Sequence, residues 1–275
     1  MKKFRLKKFI LAIVLIPVAL TTFTLGYLYT IQEKRIFDFK PLDQTYEFQF
    51  SIPHENLTIK TDDSSISAIL FKAENPKGAI YYLHGKGSNL AHSKWNKIMQ
   101  YLVNTLQYDV LMIDYRGFGK STGEITYEGL LKDALAGYDY LKQSYAEKEI
   151  IVYGLSLGTS FATYVTSINQ PSLLVLEAPF YSLYDVACST LPTVPPLLIK
   201  AVIKYPLRTD EWIQKVNCPV VIFHGTKDDI IPCDSSLRLA ELVQTSCELI
   251  IIPKGDHSHL NTTKEYQKKM EEITN

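Results

Sequence analysis

From Ala79 onward the chain alternates short, nearly continuous apolar runs with longer segments of helical period. The runs are "AIYYLH" (79–84), "YDVLMID" (108–114), "EIIVYG" (149–154), "SLLVLE" (172–177), "PVVIFH" (219–224) and "CELIII" (247–252). Unbroken apolar runs of this length fit strands buried on both faces of a parallel sheet. Helical segments fall near 90–106, 127–143, 157–168 and 234–245, with a last one near 262–272. In the second, Leu130, Leu131, Ala134, Tyr138 and Leu141 recur at the spacing of one helix face. Strand alternating with helix predicts right-handed crossovers and a doubly wound α/β sheet. Two earlier runs, "YEFQF" (46–50) and "SISAILF" (65–71), have no helix between them and are expected to form an antiparallel edge. The interval 178–217 holds Pro192, Pro195, Pro196 and Pro206 and reads as an inserted helical cap.

The N-terminus imposes a second constraint. "MKKFRLKK" carries Lys2, Lys3, Arg5, Lys7 and Lys8, and an uncharged run follows from Phe9 to Gln32. About 20 apolar residues in a helix span a bilayer, and membrane helices tolerate a proline such as Pro17. A cleaved signal peptide would have a shorter apolar region ending in small residues. "TTFT" and "GYLYT" supply no such site, so 9–32 is expected to be an uncleaved transmembrane signal anchor. The division is then a basic segment (1–8), the anchor (9–32), a connector (33–45) and a globular α/β domain (46–275). Positive residues concentrate before the helix, which predicts a cytoplasmic N-terminus and a domain on the non-cytoplasmic side. Over the whole chain charge is balanced, with 29 basic and 29 acidic residues, so no nucleic-acid partner is expected. Cys188, Cys218, Cys233 and Cys247 lack zinc-site spacing and read as buried free thiols.

The chemistry centres on Gly154-Leu155-Ser156-Leu157-Gly158, a G-x-S-x-G between an apolar strand and an apolar helix. Flanking glycines permit the sharp turn that exposes a serine hydroxyl. Such a hydroxyl needs a histidine to take its proton, and the histidine needs a carboxylate to orient it. Both occur after later strands. "HGTKDDIIP" offers Asp228 and Asp229, and "KGDHSHL" offers His257 and His259. An oxyanion would be held by the Leu157 N–H and by the Lys86 N–H in "HGKGSN". His84 and His224, each at a strand end before glycine, read as loop supports. "GKS" at 119–121 lacks the upstream glycine of a phosphate-binding loop, since position 114 is Asp. A metal held by His257 and His259 lacks an obvious third ligand.

"HGKGSN", "DYRGFGKSTG", "GLSLG", "EAPFYSL", "HGTKDDIIP" and "GDHSHL", in this order, resemble the α/β-hydrolase superfamily, in particular membrane-anchored single-pass serine hydrolases. The resemblance covers roughly residues 55 to 272. It implies Ser156 as nucleophile, Asp228 as the acid of the triad and His257 as the base, with His259 as a titratable neighbour where relatives often carry Asn or Asp. It implies a mostly parallel doubly wound sheet with a small helical cap, and neither cofactor nor metal. The expected substrate is a small-molecule or lipid-like acyl ester or thioester, with membrane attachment through the N-terminal helix. A peptidase of the same fold and a tethered non-catalytic binding protein are the alternatives. Oligomeric state is not legible.

Overall fold

The computed structural model describes the backbone of residues 2–274 and the side chains of residues 15–274. Helix α1 (Lys2–Ile36) runs through Pro17 without a break. Its stretch Leu15–Ile36 is apolar and long enough to cross a membrane, and none of it is buried inside the protein.

Eight strands follow: β1 (His54–Lys60), β2 (Ser65–Phe71), β3 (Ala79–Leu83), β4 (Asp109–Ile113), β5 (Ile150–Leu155), β6 (Leu173–Glu177), β7 (Val220–Gly225) and β8 (Cys247–Ile252). They form one sheet in the order β1-β2-β4-β3-β5-β6-β7-β8. β1 and β2 make an antiparallel edge, and β3 through β8 run parallel to one another.

The edge differs from the sequence reading in one strand. Residues 46–50 are not a strand. "YEFQF" and "HENLTIK" both alternate, but only the second can close a short hairpin onto β2, through Thr61 N–H to the Ser64 carbonyl at 3.0 Å. Phe48 and Phe50 instead pack over the sheet, with Phe50 edge-on to Phe71 at 4.8 Å.

The helices are α2 (Lys94–Met99), α3 (Tyr127–Leu141), α4 (Leu157–Ile168), α5 (Leu183–Thr190), α6 (Pro196–Val202), α7 (Thr209–Trp212), α8 (Asp234–Leu242) and α9 (Lys264–Thr274). α2 runs on as a π-helix, Gln100–Thr105. One sheet face is covered by α3, α4 and α8, which bury Leu130, Phe161 and Leu239. The other is covered by α2 and α9, which bury Trp95, Met99, Tyr266 and Met270. α5, α6 and α7 occupy the interval read as a cap. All four cysteines are unpaired, but only Cys218 is buried.

Register aligns the carboxyl ends of the parallel strands. Leu83 of β3 pairs with Gly154 of β5, Leu155 with Glu177 of β6, and Gly225 of β7 with Ile252 of β8. In open α/β sheets that edge is where ligands bind.

Candidate active site

Ser156 sits between the last residue of β5 and the first of α4. Its backbone is left-handed (φ 51°, ψ −115°), a conformation that turns strand into helix in one residue. The crossing has no room for side chains beside the serine. A Cβ on Gly158 would stand 2.0 Å from the Leu83 carbonyl oxygen, and one on Gly154 would stand 2.5 Å from the Thr159 Cα. The Ser156 N–H donates to the Glu177 carbonyl at 2.8 Å, which ties the turn to the end of β6.

The structure brings Ser156, His257 and Asp228 into one line. Ser156 Oγ lies 2.9 Å from His257 Nε2, and His257 Nδ1 lies 2.7 Å from Asp228 Oδ2. With the proton on Nδ1, the imidazole donates to the carboxylate and accepts from the serine hydroxyl. Both ring nitrogens are thereby engaged. Asp228 is positioned by its own loop, its Oδ1 accepting from the Ile230 and Ile231 N–H groups at 2.9 and 2.8 Å. Burial alone would raise its pKa. Hydrogen bonds from His224, His257 and Ile231 outweigh that and hold it well below the usual carboxylate range.

His259 goes elsewhere. Its side chain is 72% exposed and pairs with Asp256 at 2.9 Å. Asp229 makes no contact comparable to that of Asp228 among the described residues. His224 is buried between Ser236 Oγ (2.6 Å), the Ile231 carbonyl (2.9 Å) and Asp228 Oδ2 (3.3 Å), so it braces the acid loop. Among the described residues no cluster of three or more His, Cys, Asp or Glu side chains could hold a metal ion.

The loop after β3 passes beside the serine. A Cβ on Gly85 would be 3.3 Å from Ser156 Cβ, tighter than an ordinary van der Waals contact. Lys86 follows with its side chain in solvent, and Leu157 N–H belongs to the first turn of α4, where N–H groups have no intrahelical acceptor. The loop is braced by the segment after β4. The Tyr115 hydroxyl donates to the His84 carbonyl at 3.0 Å, and Asp114 Oδ1 accepts from the Leu90 N–H at 3.0 Å. His84 is wholly buried beneath it. Buried Arg116 anchors the bracing segment, with Nε and Nη2 on Asp133 at 2.9 Å each and a two-point contact with Asp63 at 3.0 Å.

Two features escaped the sequence reading. Residues 37–42 strap the loop: the Phe37 carbonyl accepts from the Gly87 N–H at 2.9 Å, and the Lys40 carbonyl from Asn89 Nδ2 at 2.9 Å. Nothing in "FDFKPL" signals this. The second is Glu177, wholly buried at the end of β6. Its carboxylate accepts from the Tyr153 hydroxyl, which in turn meets the Tyr266 hydroxyl at 2.8 Å. Burial pushes the Glu177 pKa up to about 7, against the pull of the Tyr153 hydroxyl, Lys94 and His257. A glutamate closing the apolar run "SLLVLE" was its visible signal.

Comparison with known proteins adds sequence relatives and fold neighbours. Residues 74–209 match the family described as serine aminopeptidase, S33. Ser156 lies inside that stretch, and Asp228 and His257 lie beyond it. Protein bem46 of Schizosaccharomyces pombe is 28% identical over 78% of this chain and 75% of its own length. The lysophosphatidylserine lipase ABHD12 of Danio rerio is 30% identical over 65% of this chain and 50% of its own. The chain therefore spans three quarters of the first relative and half of the second. Among solved structures, Pyrococcus furiosus esterase Pf2001 superposes with a TM-score of 0.67 at 20% identity, covering 81% of this chain and 92% of the esterase.

Proposed function

Because the chain belongs to the α/β-hydrolase superfamily, we propose that it is a serine hydrolase cleaving a carboxylic ester or thioester of amphiphilic character. His257 Nε2 takes the Ser156 proton as Oγ attacks the acyl carbon. Asp228 holds the imidazole in the tautomer that can accept and stabilises the imidazolium. The developing oxyanion is held by the Lys86 and Leu157 N–H groups, fixed in place before the reaction begins. The imidazolium then gives its proton to the departing alcohol or thiol. Water attacks the acyl-enzyme by the same route, releasing the acid and restoring Ser156.

The observation that carries this reading is the unbroken hydrogen-bonded line from Ser156 Oγ through His257 to Asp228. The name of the zebrafish relative, a lysophosphatidylserine lipase, and the apolar N-terminal helix favour a lipid-like acyl substrate. The basic residues that open α1, from Lys2 to Lys8, favour a domain on the non-cytoplasmic side of the membrane. A fluorophosphonate probe tests the nucleophile: wild type should be labelled and Ser156→Ala should not. Equal labelling of both would refute the proposal. Turnover of aminoacyl p-nitroanilides in preference to p-nitrophenyl and thioester acyl chains would favour a peptidase instead.

A further inference from the structure

Between α1 and the cap lies an apolar groove of about 330 Å³, within the range of small-ligand sites, about 300–1,000 Å³. Leu25, Leu28 and Ile31 of α1 form one wall, and Val186, Leu191 and Ile199 of the cap form the other. Polar contacts hold the walls together at the end nearer the domain. Gln32 bonds the Val202 carbonyl at 2.8 Å and the Lys204 N–H at 2.9 Å, and Glu33 accepts from the Tyr205 hydroxyl at 2.9 Å.

The position of the groove along α1 says what it meets. A helix rises about 1.5 Å per residue, and roughly 20 residues cross the hydrocarbon layer. A span that begins near Phe9 ends near Leu28, with Tyr27 and Tyr29 at the boundary where aromatic rings gather. The groove wall, from Leu25 to Ile36, thus starts within the hydrocarbon and ends beyond it. Leu197 of α6 is 76% exposed on the cap helix that packs against α1, as suits a face turned to lipid. The end of the groove at Ile36 is joined through the chain to the loop beside the serine: Ile36 lines it, the carbonyl of the next residue, Phe37, accepts from the Gly87 N–H, and a Cβ on Gly85 of that loop would stand 3.3 Å from Ser156 Cβ.

The geometry points to this groove as the seat of the hydrocarbon chain of a membrane lipid, whose acyl group reaches Ser156 sideways from the bilayer. This rests on the acyl-hydrolase reading and adds the route and the chain site to it. Drawing a long acyl chain through water is unfavourable for every methylene exposed, and a groove with one wall in the membrane removes that exposure.

The test uses the full chain carrying Ser156→Ala in phosphatidylcholine vesicles, with a lysophosphatidylcholine bearing a diazirine at its acyl terminus. After illumination, adducts should map to residues 25–36 and 183–203, and Leu28→Trp or Ala187→Trp, each filling the groove, should reduce them. On the chain that keeps Ser156, the same substitutions should lower the palmitate-to-acetate ratio of p-nitrophenyl ester kcat/KM by at least about tenfold. Fluorophosphonate labelling checks that each variant is folded. Adducts confined to residues 9–24, adducts undiminished by both substitutions, or cross-linked dimers through the groove in place of lipid adducts would overturn the proposal. An unlabelled wild type would instead overturn the hydrolase reading, while the adduct map on Ser156→Ala would still decide the groove.

Discussion

Replacing Glu177 with glutamine tests how strongly the interior behind the serine resists charge. The native state holds the Glu177 proton up to about pH 7, whereas an ordinary glutamate releases it near 4.5. Between those values the unfolded chain binds fewer protons than the native one, so stability falls as pH rises. The slope reaches about 1.4 kcal/mol per pH unit, and the whole loss is about 3 kcal/mol once both states are ionised above pH 7. Glutamine keeps an oxygen for the Tyr153 hydroxyl and carries no charge. Glu177→Gln should therefore match wild type near pH 4.5 and exceed it by about 3 kcal/mol at pH 8, roughly 6–12 °C in Tm for a domain of this size. Thermal melts of the full chain in detergent, followed by the fluorescence of Trp95 and Trp212 between pH 4.5 and 8.5, measure the difference directly. Subtracting the two curves removes every titrating group that does not sense Glu177. Parallel curves would refute the reasoning, because Glu177 would then have to be ionised across the whole range.

Other substitutions probe the scaffold and the acid. Asp228→Asn should lower kcat on p-nitrophenyl acetate by about 10³–10⁴-fold, because the amide no longer fixes the productive tautomer of His257. Arg116→Met leaves Asp133 buried without its partner and should cost about 3–5 kcal/mol, with Asp133→Asn in the same chain recovering part of the lost Tm. Gly158→Ala drives a methyl group into the Leu83 carbonyl, so soluble expression should fail or the melt should drop by several degrees. His259→Ala removes an exposed ring paired with Asp256, and should change stability by no more than about 0.5 kcal/mol without abolishing ester turnover.

The parallel core was legible because its strands are buried on both faces, which leaves nearly unbroken apolar runs such as "YDVLMI" and "EIIVYG". The edge was less so. "YEFQF" and "HENLTIK" carry the same alternation, and only the turn at Thr61–Ser64, a three-dimensional condition, selects the second as a strand. At the site, Ser156, Asp228 and His257 each follow a strand that local pattern reveals, so their loops could be placed at one edge before any coordinates. The choice of His257 over His259 needed the resemblance, since spacing alone treats two histidines in "HSH" alike. The strap at residues 37–42 stayed hidden for a different reason. It acts through the Phe37 and Lys40 carbonyls, and backbone groups are the same in every sequence.

The positive φ at Ser156 has a consequence for how this chain tolerates change. Glycine reaches that backbone region without the steric cost a Cβ carries there, on the order of 1 kcal/mol. A protein improved only for thermal robustness would be drawn toward glycine at residue 156. Screens that reward survival on heating therefore push against the hydroxyl, and variants recovered from them need an activity check at that codon first.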